Sequence, residues 1–339
     1  MTTSPLGTRD ANGEWRPPYI MEKPLFMTWP LRPLAILRWF FGWPGYLWPW
    51  NAFFFAFPLV SWFYLTPSLA SMQSFEVWWI ALVFARNLAI TVVLFTAWHL
   101  WFYVFKVQGT HTKYTLRPLA KKSRVFTFNN QLADNVFWTV ASGVPIWTAY
   151  EVVTLWAFAN GFVPFVDLRT NPVWFIAFMV LIPAIRDFHF YAVHRLLHWR
   201  PLYELAHKVH HRNVNVGPWA GMSMHPVEHV LYFSGALLHW VVPSHPLHAM
   251  FHLQHAALSA PQGHHGFESF GTEGKAVSMG AYGHYLHHKY FECNYGGGDG
   301  LMIFDVLFGT WHDGSDEAHG RMTRRLAERR WAKEAAGAA

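Results

Sequence analysis

Between Val77 and Phe105 the chain runs through VWWIALVFARNLAITVVLFTAWHLWFYVF with a single charged side chain, Arg86. A helix needs about 20 mostly apolar residues to cross the hydrocarbon of a bilayer, and this run exceeds that. Three further stretches have the same character: roughly Tyr46–Thr66, Asn135–Ala159, and Pro172–Ile185 with its continuation. Composition agrees. Charged residues make up 14% of the 339 and hydrophobic residues 53%, where a soluble domain carries about a quarter charged residues. The expected fold is all-α and integral to a membrane, with about four transmembrane helices. A fifth apolar region, Val230–Leu258, is broken by Pro243 and Pro246 and studded with histidines. It reads as a re-entrant or partly buried helical pair, since irregular backbone at membrane depth must be covered by protein or line a cavity.

Basic residues set the orientation. Arg9, Arg16, Lys23, Arg32 and Arg38 precede the first span, and Lys106, Lys113, Arg117, Lys121, Lys122 and Arg124 follow the second. The loops near Ser68 and Val166 have almost none. Both termini and everything after Arg186 are therefore expected in the cytoplasm, at a bacterial inner membrane or the endoplasmic reticulum. The start, MTTSPLGTRDANGEWRPPYI, lacks the basic-then-apolar order of a cleaved leader, so the first span is expected to stay as an anchor. The net charge of +6 comes from short basic segments beside apolar spans, which suits anionic lipid headgroups and not nucleic acid. Arg86 reads equally well as a functional charge or as a paired structural one. The chain divides into a polar N-terminal segment (1–33), a transmembrane region (34–186), a histidine-rich cytosolic cap (187–312) and a charged tail (313–339).

Of 22 histidines, 18 lie between His189 and His288. His194 and His198 are four residues apart and share one helical face. His207 pairs in the same way with His210 and His211, and His284 with His287 and His288. One such pair would be ordinary packing. Three within one region would bury many imidazoles, each with two polar nitrogens to satisfy. A shared metal centre resolves this, because each neutral ring offers a lone pair to the metal. Imidazole ligation suits Zn, Cu, Fe or Ni, and this many rings implies two ions. The single cysteine, Cys293, rules out a thiolate cage and reads as a small buried hydrophobe.

The boxes HRLLH, HKVHHR, HPVEH, HHGFE and HYLHHKYFECNYG, followed by DVLFGTW, resemble the fatty acid hydroxylase/sterol desaturase superfamily of membrane non-haem iron enzymes. The resemblance covers roughly Asp187 to Trp311. It implies a centre of two iron ions held by histidines, O2 as co-substrate, and hydroxylation or desaturation of a lipid acyl chain or sterol. It also implies an external electron donor: a reductase with a ferredoxin, rubredoxin or cytochrome b5 type carrier. Carried over by position, the metal ligands are His194, His198, His207, His210, His211, His264, His284, His287 and His288. Glu268 stands where some lipid-hydroxylase members have another histidine. It is left as a ligand, an orienter of His264 or a solvated acid, with His265 beside it as a weaker candidate.

Asp187 and Tyr191 lie on the helical face of His194, and Asp187 is the expected acceptor for its second N–H. Asn294 begins a chain turn after the last box. His225 is expected near the site, in contact with the ligands and not itself a ligand. HPVEH also matches the H-x-x-E-H zinc-protease motif, with Pro226 at a first helical position and His225 as the cap. That makes a membrane zinc hydrolase one alternative. A histidine-lined metal transporter is another, disfavoured because the boxes follow the spans. His248, His252 and His255 form a helical stripe that equally reads as hydrogen-bonded core.

Overall fold

Prolines mark where the helices begin. The computed structural model describes residues 7–272, 274–297 and 301–337. Pro145 lies near the start of α5 (Val144–Ala159), where the helix runs on from a π turn, and proline stands in the first turn of the helices that start afresh, α1 (Pro33–Phe41), α6 (Pro172–Leu197), α9 (Pro226–Phe233) and α10 (Pro246–His264). It is pre-set for helical φ there and loses no hydrogen bond. Between these lie α2 (Ala52–Tyr64), α3 (Val77–His99, prolonged by a π turn to Val104) and α4 (Gln131–Trp138), which continues through a second π turn into α5. The histidine region adds α7 (Arg200–Leu202), a π turn (Tyr203–His207), α8 (Lys208–His211) and α11 (Tyr282–Tyr290). Helices α12 (Ile303–Leu307) and α13 (Asp316–Gly337) complete the chain. Among the described residues the only sheets are two short antiparallel pairs, β1 (Thr8–Arg9) with β2 (Trp15–Arg16) and β3 (Ser269–Phe270) with β4 (Val277–Ser278). The fold is mostly helical, as expected.

Among the described residues two helices can cross a bilayer by length and composition, Val77–Val104 and Pro172–Leu197. The stretch Tyr46–Thr66 holds α2, which has 13 residues and is about 20 Å long. The stretch Asn135–Ala159 lies within the continuous helix formed by α4 and α5. Its Glu151 is buried and pairs with Arg86 of α3. Arg86 also donates to Asn87 Oδ1 (2.9 Å) and Thr66 Oγ1 (2.8 Å), and Asn87 Nδ2 donates to the second Glu151 oxygen (2.9 Å). Arg86 is thus a paired structural charge tying α3 to α5, which is how a buried ion is tolerated.

Helix α10 is the axis of the molecule. All of its residues are buried, and it packs on α2, α3, α5, α6 and α11. Small residues, among them Ala256, Ala257, Ala260 and Gly263, allow this close approach. At Gly221 a Cβ would sit 2.5 Å from the Ala260 carbonyl carbon, so the turn Pro218–Met222 can lie on α10 only with glycine there. The histidine stripe of α10 is hydrogen-bonded core. His248 Nε2 meets the Phe175 carbonyl (2.8 Å), His255 meets Asn51 Oδ1 (2.9 Å) and His252 meets His239 (3.2 Å). A buried helix, in place of a plain span, is what the broken apolar pattern of 230–258 suggested. Its last residue, His264, is delivered to the end of α6, where the other boxes gather.

Candidate metal centre

Nine histidines converge in two adjoining clusters. His194, His198, His207, His211 and His287 form one; His210, His264, His284 and His288 form the other. Within each cluster one ring nitrogen per residue lies within 4.8 Å of all the others. These are the nine singled out in the sequence. The clusters abut, with the His211 and His288 rings 4.8 Å apart. Helix α6 supplies His194 and, at its C-cap, His198. Trp199 then turns the chain, and α7, the π turn and α8 return across the end of α6 with the second box.

The two H-x-x-H-H boxes are shared between the clusters in opposite senses. From the second box, His207 and His211 join the five-membered cluster and His210 joins the other. From the last box, His284 and His288 join the four-membered cluster and His287 joins the first. Positions i+3 and i+4 differ by about 100° around a helix, so one box can face two centres.

The backbone sets the tautomers. Nδ1–H of His194 donates to the Tyr295 carbonyl (2.7 Å), that of His287 to the Cys293 carbonyl (2.7 Å) and that of His264 to the Ala260 carbonyl (2.8 Å). His207 Nδ1 lies 2.7 Å from Glu228 Oε1, both groups buried. In each ring this leaves the Nε2 lone pair aimed at the other histidines. The Nε2 atoms of His198, His211 and His287 form a triangle with sides of 3.0, 3.1 and 3.2 Å. His264 Nε2 lies 2.9 Å from His284, 3.1 Å from His210 and 3.1 Å from His288. His287 has already given its ring proton to a carbonyl, so it presents a lone pair to two neighbouring nitrogens.

That arrangement fits a cation. An imidazole–metal bond of about 2.1 Å places nitrogens about 3.0 Å apart at 90° and about 3.4 Å apart at the tetrahedral angle. The observed spacings match the former. His194 Nε2 and His207 Nε2 are buried without a hydrogen-bond partner, as metal-directed nitrogens would be. Burial, reinforced by neighbouring imidazoles, holds His207, His210, His211, His284, His287 and His288 well below the usual imidazole range, and His198 down to about 2. The rings are therefore neutral, the state a metal binds.

The remaining sequence candidates fall outside the clusters. Asp187 is not the acceptor for His194, which the Tyr295 carbonyl serves; Asp187 Oδ2 accepts from the Leu301 amide (3.0 Å). The Tyr191 hydroxyl accepts from Arg195, and its ring stacks on Phe308. Glu268 accepts from the hydroxyls of Tyr19, Tyr114 (2.8 Å) and Ser278 (3.1 Å), so it anchors the N-terminal segment and belongs to neither cluster. His265 stacks on Phe102 and caps its own turn by accepting from the Phe267 amide (2.9 Å). Asn294 clamps the turn after the last box, donating to the Gly283 (3.1 Å) and His312 (2.9 Å) carbonyls. Cys293 is buried.

His225 belongs to neither cluster. It caps α9, as Pro226 suggested, through the Val227 amide (3.3 Å). His229 bonds Ser142 (2.9 Å), while Glu228 turns to His207. The H-x-x-E-H residues thus point three ways and form no zinc site. Glu228 is the site residue that sequence reasoning missed. Its signal was a buried-type acid on a histidine-capped first turn, but nothing local names its partner.

Residues 179–310, which contain all nine clustered histidines, match the fatty acid hydroxylase family. Three fungal relatives are Delta(7)-sterol 5(6)-desaturases. That of Eremothecium gossypii is 30% identical over 156 residues, 45% of this chain and 40% of the relative. That of Aspergillus fumigatus is 28% identical over 219 residues, 60% and 57% respectively. That of Gibberella zeae is 32% identical over 152 residues, 44% and 41%. The chain thus spans between two fifths and three fifths of the length of these relatives. No solved structure matches it. The match over residues 179–310 and the desaturase relatives support the resemblance of this region to the fatty acid hydroxylase/sterol desaturase superfamily.

Proposed function

We propose that this chain is a membrane oxidoreductase that uses O2 and two histidine-held iron ions to hydroxylate or desaturate a lipid, either an acyl chain or a sterol. The observation that carries the reading is the pair of adjoining neutral-imidazole clusters, five and four rings. Iron bound there would supply the O2 activation that no amino-acid side chain provides. His194, His198, His207, His211 and His287 would hold one ion, and His210, His264, His284 and His288 the other. Glu228 keeps a proton on His207 Nδ1 and so keeps Nε2 turned inward.

A chain of cavities supports a lipid substrate. An apolar groove of about 830 Å³ between α2 and α6 is lined by Phe55, Leu59, Trp62, Phe175, Met179 and Phe251. It shares Tyr46, Asn51 and Pro183 with a second cavity of about 140 Å³. That cavity shares Arg186 with a narrow space lined by His194, His207, His210, His264 and His284. The groove lies within the size range of small-molecule sites. Its walls exclude water and align an alkyl skeleton. The desaturase names of the relatives favour a polycyclic or long-chain lipid over a small polar substrate. The basic loops favour a cytoplasmic position for the termini and the histidine region, with 34–186 as the membrane part, 187–312 as the catalytic part and 313–339 as a tail.

The test pairs metal analysis of purified protein with mass spectrometry of total lipids from cells with and without it. Two irons per chain are expected, with a lipid gaining one oxygen or losing two hydrogens. One zinc per chain with an unchanged lipid profile overturns the reading.

A further inference from the structure

Eight of the nine clustered histidines are buried; His198 alone is partly exposed. It ends α6, and the chain around it lies open. Trp199 is 62% exposed and Leu205 56%, and Arg200 and Lys208 are exposed too. The cavity that meets the centre from the groove side is lined by His194, His207, His210, His264 and His284 and not by His198. The centre therefore has two faces, one toward the lipid groove and one toward the outer surface.

The outer surface is basic. Residues 195–212 carry Arg195, Arg200, Lys208 and Arg212 against Glu204; Lys208 pairs with Glu204 (3.4 Å) and Arg212 with buried Asp134 (3.5 Å), while Arg200 stands exposed. Arg212 Nη1 donates to the Val125 carbonyl (3.0 Å), which brings the loop with exposed Lys121, Lys122 and Arg124 alongside. Among the described residues Arg200, Lys121, Lys122 and Arg124 make no ion pair.

The proposed reaction needs electrons from outside. Hydroxylation balances as R–H + O2 + 2 e⁻ + 2 H⁺ giving R–OH + H2O. Desaturation takes the same two electrons and protons, removes two hydrogens and gives two waters. With one cysteine, this chain cannot hold an iron–sulfur cluster of its own.

We propose that the surface around His198 docks an acidic one-electron carrier protein, with His198 the imidazole through which electrons reach the centre. This rests on the oxidoreductase reading above. Trp199 provides an exposed aromatic anchor, and the arginines and lysines around it attract and orient an anionic partner. A lipid headgroup layer would meet basic charge as well. Glu204 within the strip and the ligand edge at its centre favour a partner with a defined redox contact.

The test uses the full chain in zwitterionic nanodiscs, metal-free and iron-loaded, with a soluble acidic [2Fe–2S] ferredoxin as probe. Binding is expected to weaken as salt rises. It should fall at least tenfold in Arg200→Glu/Lys208→Glu, with or without iron. Lys121→Glu/Lys122→Glu, on a separate loop, should move it in the same direction, and zero-length crosslinks should map to Lys208, Lys121 or Lys122. Unchanged binding in both variants, or crosslinks elsewhere, overturns the proposal. So does loss of binding to anionic vesicles with ferredoxin binding intact, which would make the strip a headgroup surface. Because the readout is binding to the metal-free protein too, its failure is separable from a failure of the metal and lipid analysis.

Discussion

Removing the carboxylate of Glu228 should empty one metal site and spare the other. Glu228 Oε1 lies 2.7 Å from His207 Nδ1, with both side chains buried, so water neither competes for the bond nor replaces it. Burial pushes the Glu228 carboxyl well above its usual range, so the bond is counted as a neutral one, about 0.5–1.5 kcal/mol net. Loss of a carboxylate that orients a ligating histidine typically costs about 10–100-fold in metal affinity, or about 1.4–2.7 kcal/mol. Because His207 belongs to the five-membered cluster alone, Glu228→Ala should lower the affinity of one of two sites by that factor. Glu228→Gln, which keeps the volume and a neutral acceptor, should lose less. The assay is competition against a chromophoric chelator, with metal counted after dialysis. Two ions are expected in the parent protein and about one in Glu228→Ala. Combining it with His207→Ala should add little further loss, since the carboxylate acts through that ring. Equal loss of both ions, or two ions held with parental affinity, would refute the assignment.

Glu268→Gln should leave metal content unchanged and lower the thermal midpoint, because Glu268 binds three hydroxyls and no clustered histidine; loss of metal with an unchanged midpoint would restore it as a ligand. Glu151→Leu leaves Arg86 buried without its carboxylate and should cost about 3–5 kcal/mol, read as loss of folded protein in detergent. The metal-free protein should lose stability as pH falls below the unfolded imidazole value of about 6.5. Buried His207, His211 and His287 stay neutral when folded and take up protons only when unfolded. Each such group costs about 1.4 kcal/mol per pH unit, and a midpoint that is flat from pH 6.5 to 5 contradicts their burial as neutral rings. Met179→Trp should obstruct the groove, so lipid turnover falls while metal content stays.

Much of the site could be read from spacing, because a helix converts i, i+3 and i+4 into shared faces without help from the rest of the fold. The same holds for Pro226 and His225, whose cap is a local matter. The reading failed where a partner is distant in sequence. Asp187 had the helical phase to orient His194, yet the carbonyl of Tyr295, 101 residues away, takes that proton. Glu228 sat in a five-residue motif that suggested a zinc site, and only the approach of α9 to the π turn gives it His207. Arg86 was ambiguous until Glu151 of the neighbouring helix was placed beside it. Backbone carbonyls are present at every residue, so sequence marks none of them as an acceptor.

The sequence by itself determined a mostly helical chain with long apolar runs and nine imidazoles arranged in helical boxes, since apolar run length and the 3.6-residue period are local properties. Only the tertiary structure decided how those rings are divided. The second and last boxes cross so that each gives a pair to one cluster and a single ring to the other. It also decided that α10 is a buried axis and that His198 alone among the nine reaches the surface. Those outcomes depend on how helices pack and cross, which is set by contacts between residues far apart along the chain.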